Sequence, residues 1–187
     1  MRFEFATATE IAFGPGVRHV AAGRVRQWGT SAFLVTGRDP ARAAELATAV
    51  REAGLACTVW PVRTEPTIDD AVEATRAARA ARADLVVGIG GGSALDLGKA
   101  AAVLLTNPGH PLDYLEVIGR GQALMQPSAP FVAIPTTAGT GAEVTRNAVL
   151  ADHERGVKVS LRSPHMLPRL ALVDPELSLG LPPALTA

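Results

Sequence analysis

Three consecutive glycines, Gly90 to Gly92, follow the apolar residues 85–89 and precede Ser93 and Asp96. Because glycine has no Cβ, the backbone of this turn can approach a ligand closely. Ser93 is the predicted N-cap of the next helix, and Asp96 would then lie in its first turn, where an acidic side chain is favourable. Free N–H groups at a helix start bind phosphate well. The pattern therefore predicts a nucleotide-binding turn.

The turn departs from the two best-known phosphate-binding motifs. In a G-x-G-x-x-G fingerprint that starts at Gly88, Ser93 stands where the third glycine belongs. A P-loop has four residues before its Gly-Lys pair, whereas five separate Gly92 from Gly98. Tight packing of the helix on the sheet is the structural alternative, but three glycines beside a hydroxyl exceed what packing requires.

Apolar runs that alternate with alanine-rich stretches predict the elements around this turn. Strands are predicted at residues 31–36, 56–62, 85–89, 131–134 and 170–173, with helices at 41–53, 67–83 and 93–106. Residues 3–6 and 11–13 alternate in polarity and predict a small N-terminal β-hairpin. The order indicates an α/β fold, Rossmann-like, with a parallel sheet and helices on both faces. Ligands of such sheets lie beyond the carboxyl ends of the strands.

Composition and charge exclude several kinds of partner. The chain has 18 basic and 18 acidic residues, so no basic excess suggests nucleic acid. No apolar stretch reaches the roughly 18 residues that a bilayer crossing needs, and the N-terminus lacks the apolar region of a signal peptide. The single cysteine, Cys57, has no partner for an internal disulfide, which favours a reducing, cytoplasmic location.

Three segments together resemble the iron-containing, or group III, alcohol dehydrogenases. They are GGGSALDLGKA from Gly90, IPTTAGTGAEVT from Ile134, and LVDPELS from Leu172 with a following Leu-Pro-Pro. Their order and spacing match that family over nearly all of the chain. The resemblance implies that residues 1–187 form an N-terminal dinucleotide-binding domain, and that the helical metal-binding domain of the family is absent from this chain.

The resemblance also implies an activity and a set of contacts. The activity is hydride transfer between an alcohol or aldehyde and NAD or NADP. Gly92 and Ser93 would hold the pyrophosphate, and three threonines would line the adenine and ribose side. The complete set of implied cofactor-binding residues is Gly37, Gly91, Gly92, Ser93, Asp96, Thr136, Thr137, Thr140, Asn147, Lys158 and Leu177. No catalytic residue is predicted within the chain.

Two departures from the family pattern concern the cofactor. Gly37 and Arg38 follow the second predicted strand, where many NAD-preferring relatives have an acidic residue for the ribose. An arginine here could pair with a 2′-phosphate, which favours NADP slightly, although Asp39 could still serve the ribose. Glu65 stands before Pro66 where many relatives have asparagine, which leaves one adenine-side contact open.

Metal ligands are the family feature that this chain lacks. Relatives bind a divalent metal, iron or zinc, through an aspartate and three histidines in their second half. We expect His19, His110, His153 and His165 to be structural, because none shares a helical turn with another histidine. Without a metal to polarise the alcohol oxygen, the chain alone is predicted to be catalytically inactive.

Two other interpretations remain open. The chain could come from a glycerol dehydrogenase or a dehydroquinate-synthase-like lyase of the same fold, although the loop from Thr136 to Gly141 favours the alcohol dehydrogenases. It could instead be a non-catalytic nucleotide-binding or oligomerisation module whose N-terminal hairpin pairs across a homodimer. Binding of NAD or NADP would distinguish the enzyme from an oligomerisation module.

Overall fold

The structure is a computed structural model that describes residues 1–181. The predicted Leu-Pro-Pro segment extends beyond this range, so its last two residues lie outside the described chain. The strands are β1 (Ile11–Phe13), β2 (Ser31–Thr36), β3 (Ala56–Pro61), β4 (Leu85–Gly90), β5 (Phe131–Pro135), β6 (Asn147–Asp152), β7 (Val157–Arg162) and β8 (Leu170–Val173). The α-helices are α1 (Ala21–Val25), α2 (Ala44–Glu52), α3 (Ile68–Ala80), α4 (Gly92–Thr106) and α5 (Pro111–Tyr114).

Six strands form one parallel sheet in the order β1-β8-β5-β4-β2-β3, and β6 and β7 form a separate antiparallel hairpin. The prediction of a parallel sheet is confirmed. The apolar runs at residues 147–151 and 157–161 predict a hairpin around residues 152–156, and this hairpin is confirmed as well. All four residues Phe33, Leu34, Val86 and Val87 are buried on β2 and β4, as expected for strands covered on both faces.

Helices cover the two faces of the sheet. One core cluster joins residues of α3 and α4 to Phe33 and Phe131, and the other joins residues of α1 and α2 to Leu34 and Leu172. The predicted Rossmann-like arrangement is therefore confirmed. Within residues 1–181, no helix combines the length and the hydrophobicity that crossing a membrane would need.

The prediction of an N-terminal β-hairpin is wrong. Residues 3–6 form no strand, and β1 pairs in parallel with β8, with Ile11 opposite Ala171. Alternating polarity identifies a strand but not its partner, and here that partner comes from the far end of the sequence. β1 is therefore an edge strand of the main sheet.

Several helix bounds differ from the predictions at one end. The helix predicted at residues 41–53 starts with a 3-10 turn, Pro40–Ala43, which Asp39 caps by accepting a hydrogen bond from the Ala41 amide at 3.0 Å. The helix predicted at 67–83 is α3, which ends at Ala80. A threonine followed three residues later by an acidic residue predicts a capping box at its start, and the Thr67 and Asp70 side chains form it.

Close packing fixes α4 against β4. A Cβ at Gly98 would lie 2.7 Å from the Phe131 ring, and the Cα of Gly88 lies 3.8 Å from that same Cβ position. Phe131 itself is fully buried, so the ring has little room to move. The contact holds the axis of α4 close to the sheet and aims its first turn at the carboxyl edge.

Candidate functional site

The turn between β4 and α4 depends on Gly90. This residue has φ +154°, and a Cβ there would lie 2.7 Å from the Cβ of Ala94 and 3.3 Å from the Gly37 amide nitrogen. An alanine would therefore be both strained and crowded. The absence of a side chain lets the ends of β2 and β4 approach the first turn of α4.

The N-cap of α4 is Gly91, so the prediction that Ser93 caps the helix is wrong. Ser93 is the second helical residue and is exposed, and Asp96 consequently lies beyond the first turn. Any residue from Gly91 to Ser93 suits a cap position, which is why sequence alone misplaced the start. No side chain of the described residues caps this helix, and its first N–H groups have no acceptor within the helix.

A loop rich in hydroxyl groups lies over this helix start. The Thr136 amide donates to the Gly90 carbonyl at 2.9 Å, which joins the loop to the glycine turn. The Thr137 Oγ1 atom lies 3.4 Å, and the Thr140 Cγ2 atom also 3.4 Å, from the positions that a Cβ would take on Gly91 and Gly92 respectively. Within residues 1–181, the buried Thr137 Oγ1 has no hydrogen-bond partner. A hydroxyl in that state is available to a ligand.

These elements border a cleft of about 670 Å³ at the carboxyl edge of the sheet. Its volume falls within the roughly 300–1,000 Å³ that is typical of small-molecule sites. Its lining residues are Thr36, Gly37, Arg38, Asp39, Arg42, Ile89, Gly90, Gly91, Thr136, Thr137, Glu176, Leu177, Gly180 and Leu181.

Five of the predicted cofactor residues line that cleft, namely Gly37, Gly91, Thr136, Thr137 and Leu177. Three more lie next to lining residues, because Gly92 and Ser93 directly follow Gly91 at the start of α4 and Thr140 packs on Gly92. The structure thus brings together eight of the eleven predicted positions. Their roles in binding a cofactor remain predictions.

Asp96 lies away from the cleft, in a buried polar cluster between α4 and β6. Its Oδ2 accepts a hydrogen bond from the Val149 amide at 3.2 Å, and its Oδ1 lies 3.2 Å from the Lys99 Nζ. Lys99, whose side chain is 0% exposed, also donates to the Thr145 Oγ1 at 3.2 Å. Burial raises the pKa of the Asp96 carboxyl and lowers that of the Lys99 ammonium, although each charge partly offsets the effect on the other. This cluster joins α4 to the hairpin.

The remaining two predicted positions lie on the β6–β7 hairpin. Asn147 starts β6 and borders a separate surface cavity with Phe5 and Arg162. Lys158 is exposed and forms an ion pair of 2.7 Å with Glu65, the residue that departs from the family pattern. Neither residue lines the cleft described above.

Sequence analysis missed six of the residues that line the cleft. They are Thr36, Arg42, Ile89, Glu176, Gly180 and Leu181. The position of Arg42 was a usable signal, because it lies in the 3-10 turn that directly follows Arg38 and Asp39. Ile89 and Gly180 carry no chemical signature in the sequence.

Histidines and acidic residues of the described chain do not converge. His110 caps α5 through Nδ1, which accepts from the Leu112 amide at 3.2 Å, and His19 lies 3.3 Å from Glu45. Within residues 1–181, no group of three or more histidine, cysteine, aspartate or glutamate side chains is arranged to hold a metal ion. The described residues therefore do not provide a ligand set for the divalent metal that the resemblance implies.

Comparison with known proteins gives a consistent result. The family model for iron-containing alcohol dehydrogenases matches residues 8–175. The chain is 39% identical to a sulfoacetaldehyde reductase of Bilophila wadsworthia, over 100% of this chain and 49% of that protein. The chain thus spans about half the length of this curated relative.

Two solved structures extend the comparison to the fold. A crystal structure of 1,3-propanediol oxidoreductase superposes with a TM-score of 0.90 and 33% identity, over 100% of this chain and 49% of that one. A sulfoacetaldehyde reductase from Bifidobacterium kashiwanohense, in complex with NAD+, gives a TM-score of 0.86 and 29% identity, over 99% of this chain and 49% of that one. In both cases one half of a longer enzyme matches nearly the whole of this chain.

Proposed function

Because the chain belongs to the iron-containing alcohol dehydrogenase family, we propose that residues 1–187 are the dinucleotide-binding domain of such an enzyme. The complete enzyme would transfer hydride between a small alcohol or aldehyde and a nicotinamide cofactor. Its substrate, metal and helical second domain belong to the proposal, since the chain spans about half of its curated relative. One observation carries the binding role: the uncapped start of α4 opens onto a cleft lined by glycine and threonine.

The start of α4 suits a diphosphate group. Backbone N–H groups of Gly92 and Ser93 point along the helix axis, and the partial positive charge of the helix start favours an anion. Thr137 offers a buried hydroxyl without a partner among the described residues, and Thr140 packs beside Gly92. These groups would hold the phosphates without a lysine or a metal ion.

The rest of the cleft suits the remainder of the cofactor. Gly37, Arg38 and Asp39 border the cleft on the side of β2, where the adenosine ribose would lie. Leu177 supplies an apolar wall on the side of β8. Asp96, Asn147 and Lys158 remain proposed contacts of the complete enzyme, outside this cleft.

A relative with bound NAD+ supports a nicotinamide dinucleotide as the ligand, because the NAD+ complex of the Bifidobacterium reductase matches 99% of this chain. We retain a slight preference for NADP from the arginines at the cleft. Arg38 and Arg42 both line it, while Arg38 Nε donates to the Arg63 carbonyl at 3.0 Å. A 2′-phosphate could pair with either guanidinium.

Calorimetric titration tests this preference. We expect the double variant Arg38→Ala with Arg42→Ala to weaken NADP+ binding at least tenfold and NAD+ binding less than threefold. Arg26→Ala, an exposed arginine after α1, is the matched control. Equal losses for both dinucleotides would remove the basis for an NADP preference.

Hydride transfer would need groups from outside the described chain. A divalent metal, iron or zinc, would polarise the alcohol oxygen and stabilise the developing alkoxide when bound. The residues described here orient the nucleotide, and we assign no catalytic residue to them. Purified chain supplied with iron or zinc should therefore reduce neither NAD+ nor NADP+ with alcohol.

The direct test of the binding role is titration of the 187-residue chain with NAD+ and NADP+. We expect saturable binding of at least one, weakened about tenfold by Thr137→Val, which removes the unpartnered hydroxyl. Thr48→Val, on the exposed side of α2, is the control. If neither dinucleotide binds and the chain forms a stable dimer, the oligomerisation module becomes the better interpretation.

We further propose that the chain forms a homodimer through the β1 edge and functions in the cytoplasm. β1 is an edge strand, and Phe3, Phe5 and Phe13 nearby are 86%, 80% and 74% exposed. Cys57 supports a reducing compartment, and burial raises the pKa of its thiol. Sedimentation of the chain against the variant Phe3→Ser with Phe5→Ser tests self-association, and monomers in both samples would contradict it.

A further inference from the structure

Arg18 links the two segments that leave the sheet at β1 and β8. These strands are parallel neighbours, so the 3-10 helix Val17–Val20 and the 3-10 helix Pro175–Ser178 start side by side. The Arg18 Nη1 atom lies 2.7 Å from Asp174 Oδ2 and 2.6 Å from Glu176 Oε2. One guanidinium therefore holds two carboxylates of the same short helix.

Asp174 is the centre of this contact. Its side chain is 0% exposed, and its Oδ1 accepts a hydrogen bond from the Glu176 amide at 3.0 Å. The Arg18 amide also donates to Asp174 Oδ2, at 3.3 Å. Arg18 is itself only partly exposed, which reduces the screening of these charges by water. The three residues form a single hydrogen-bonded unit, called the Arg18 clamp below.

The segment that the clamp holds is one wall of the cleft. Glu176, Leu177, Gly180 and Leu181 line the cleft on the side of β8. Arg18 lies behind this wall, in a smaller cavity of about 190 Å³. The small cavity shares Arg42, Ile89 and Leu177 with the cleft, so the two are contiguous.

From this geometry we propose that Arg18 is a positioning residue, which holds residues 175–181 in place as the wall against which the nucleotide binds. Arg18 lines the cavity behind the wall and not the cleft, so it acts through Glu176 and Leu177. The effect on affinity rests on the proposed nucleotide-binding function. The ordering of the wall does not, because it follows from contacts of the free protein.

A second ion pair in the same part of the chain provides a matched control. Arg24 in α1 donates to Glu10 Oε1 at 2.9 Å and also to its Oε2, so that pair has two hydrogen bonds as well. Neither Arg24 nor Glu10 lines the cleft or the cavity behind it. Removing the Arg24–Glu10 ion pair therefore measures the general effect of losing an arginine ion pair in this region.

Hydrogen–deuterium exchange of the free chain tests the ordering. The variants are Arg18→Met, Arg18→Lys and, as control, Arg24→Met, all measured well below their unfolding temperatures. We expect Arg18→Met to raise the exchange rates of the 176–181 amides about tenfold, with a smaller rise in Arg18→Lys, which keeps the charge. Arg24→Met should leave these rates unchanged. The Lys variant decides the test if the Met variant fails to fold.

Calorimetry with NAD+ tests the consequence for binding. We expect about tenfold weaker affinity in Arg18→Met and less than twofold change in Arg24→Met. Unchanged 176–181 exchange in the Arg18 variants, or an equal rise in Arg24→Met, would overturn the proposal. So would faster exchange with full affinity for NAD+. If the unaltered chain binds no dinucleotide, the proposed function fails, and the exchange data still decide whether the clamp orders the wall.

Discussion

The turns after β4 and after β8 leave the same edge of one sheet, with β5 between the two strands. After β8, Asp174 caps the next helix and accepts hydrogen bonds from Glu176 and Arg18. After β4, Gly91 occupies the corresponding cap position and no described side chain bonds the helix amides. The turn after β8 thus satisfies its backbone N–H groups with its own side chain. The turn after β4 leaves its N–H groups free for an external anion.

Other helix starts at this edge resemble the turn after β8. Asp39 caps the segment after β2, and Thr67 caps α3 after β3. The helix after β1 also has a glycine cap, Gly16, but its Arg18 amide donates to the Asp174 side chain. The turn after β4 differs from these turns, because no described side chain bonds its amides although α4 is the longest helix described. This difference supports the proposal that the open helix start binds a ligand.

The largest effect is expected for Gly90→Ala. The new Cβ would meet Ala94 at 2.7 Å in a backbone conformation that alanine rarely adopts. We expect the free energy of unfolding to fall by about 3 kcal/mol, and nucleotide binding to be lost. Urea denaturation and calorimetry measure both effects. Gly23→Ala is the control, because it has open space inside α1 and should not destabilise the chain.

Asp174→Asn tests the closed turn. The side-chain carboxamide of asparagine keeps an oxygen that can accept the hydrogen bond from the Glu176 N–H, but it lacks the negative charge that pairs with Arg18. We expect a loss of about 2 kcal/mol in the free energy of unfolding, with the same measurement as above. An unchanged stability would mean that the turn after β8 is no more dependent on its side chain than the turn after β4.

The same residue predicts a dependence on pH. Burial opposes ionisation of Asp174, but hydrogen bonds from Arg18 and from nearby backbone amides outweigh it, so its pKa lies below the ordinary 3.8. A group with a lowered pKa stabilises the fold above its unfolded value and loses that contribution as pH falls through the folded one. Stability should therefore decline as pH falls below 3.8. The stability of the Asp174→Asn variant should decline less over the same pH range. Parallel curves of stability against pH for the two proteins would contradict this prediction.

The smallest effect on stability is expected for Gly91→Asp, which should stabilise the fold but weaken nucleotide binding. Gly91 has the extended backbone of an N-cap, and a Cβ there meets Thr137 only at ordinary contact distances. The new carboxylate should cap α4 and raise the free energy of unfolding by about 0.5 kcal/mol. It should also weaken the binding of NAD+ at least tenfold, because the carboxylate would accept hydrogen bonds from the N–H groups at the helix start and would repel phosphate. Gly91→Ala separates charge from bulk, and tight binding by the Asp variant would refute the anion site.

Local patterns in the sequence predicted most of the fold and the outline of the site. Apolar runs such as residues 85–89 identify buried strands, and Thr67 with Asp70 identifies a helix start, because these signals depend on near neighbours. The partner of β1 was missed because strand pairing over a long separation leaves no local trace. The cap of α4 was misplaced because its glycines and Ser93 are equally plausible caps.

The site was harder to predict where it depends on tertiary contacts. Lys99 is an ionisable residue that is fully buried in the structure, where it pairs with Asp96 one turn earlier on α4 and donates to Thr145, just before β6. Arg18 has no signal near it in sequence, because both of its carboxylates follow β8. Such residues acquire their roles only when distant segments meet.

The pairing of β1 with β8 has a consequence for synthesis of the chain on the ribosome. β2 pairs with both β3 and β4, so these three strands can assemble early, whereas β1 emerges first and has no neighbour until Leu170–Val173 has been made. Contacts of such long sequence separation form slowly. The backbone groups of Ile11–Phe13 therefore lack their partners until residues 170–173 have been made, and this short stretch is where nascent chains would pair with each other or recruit a chaperone.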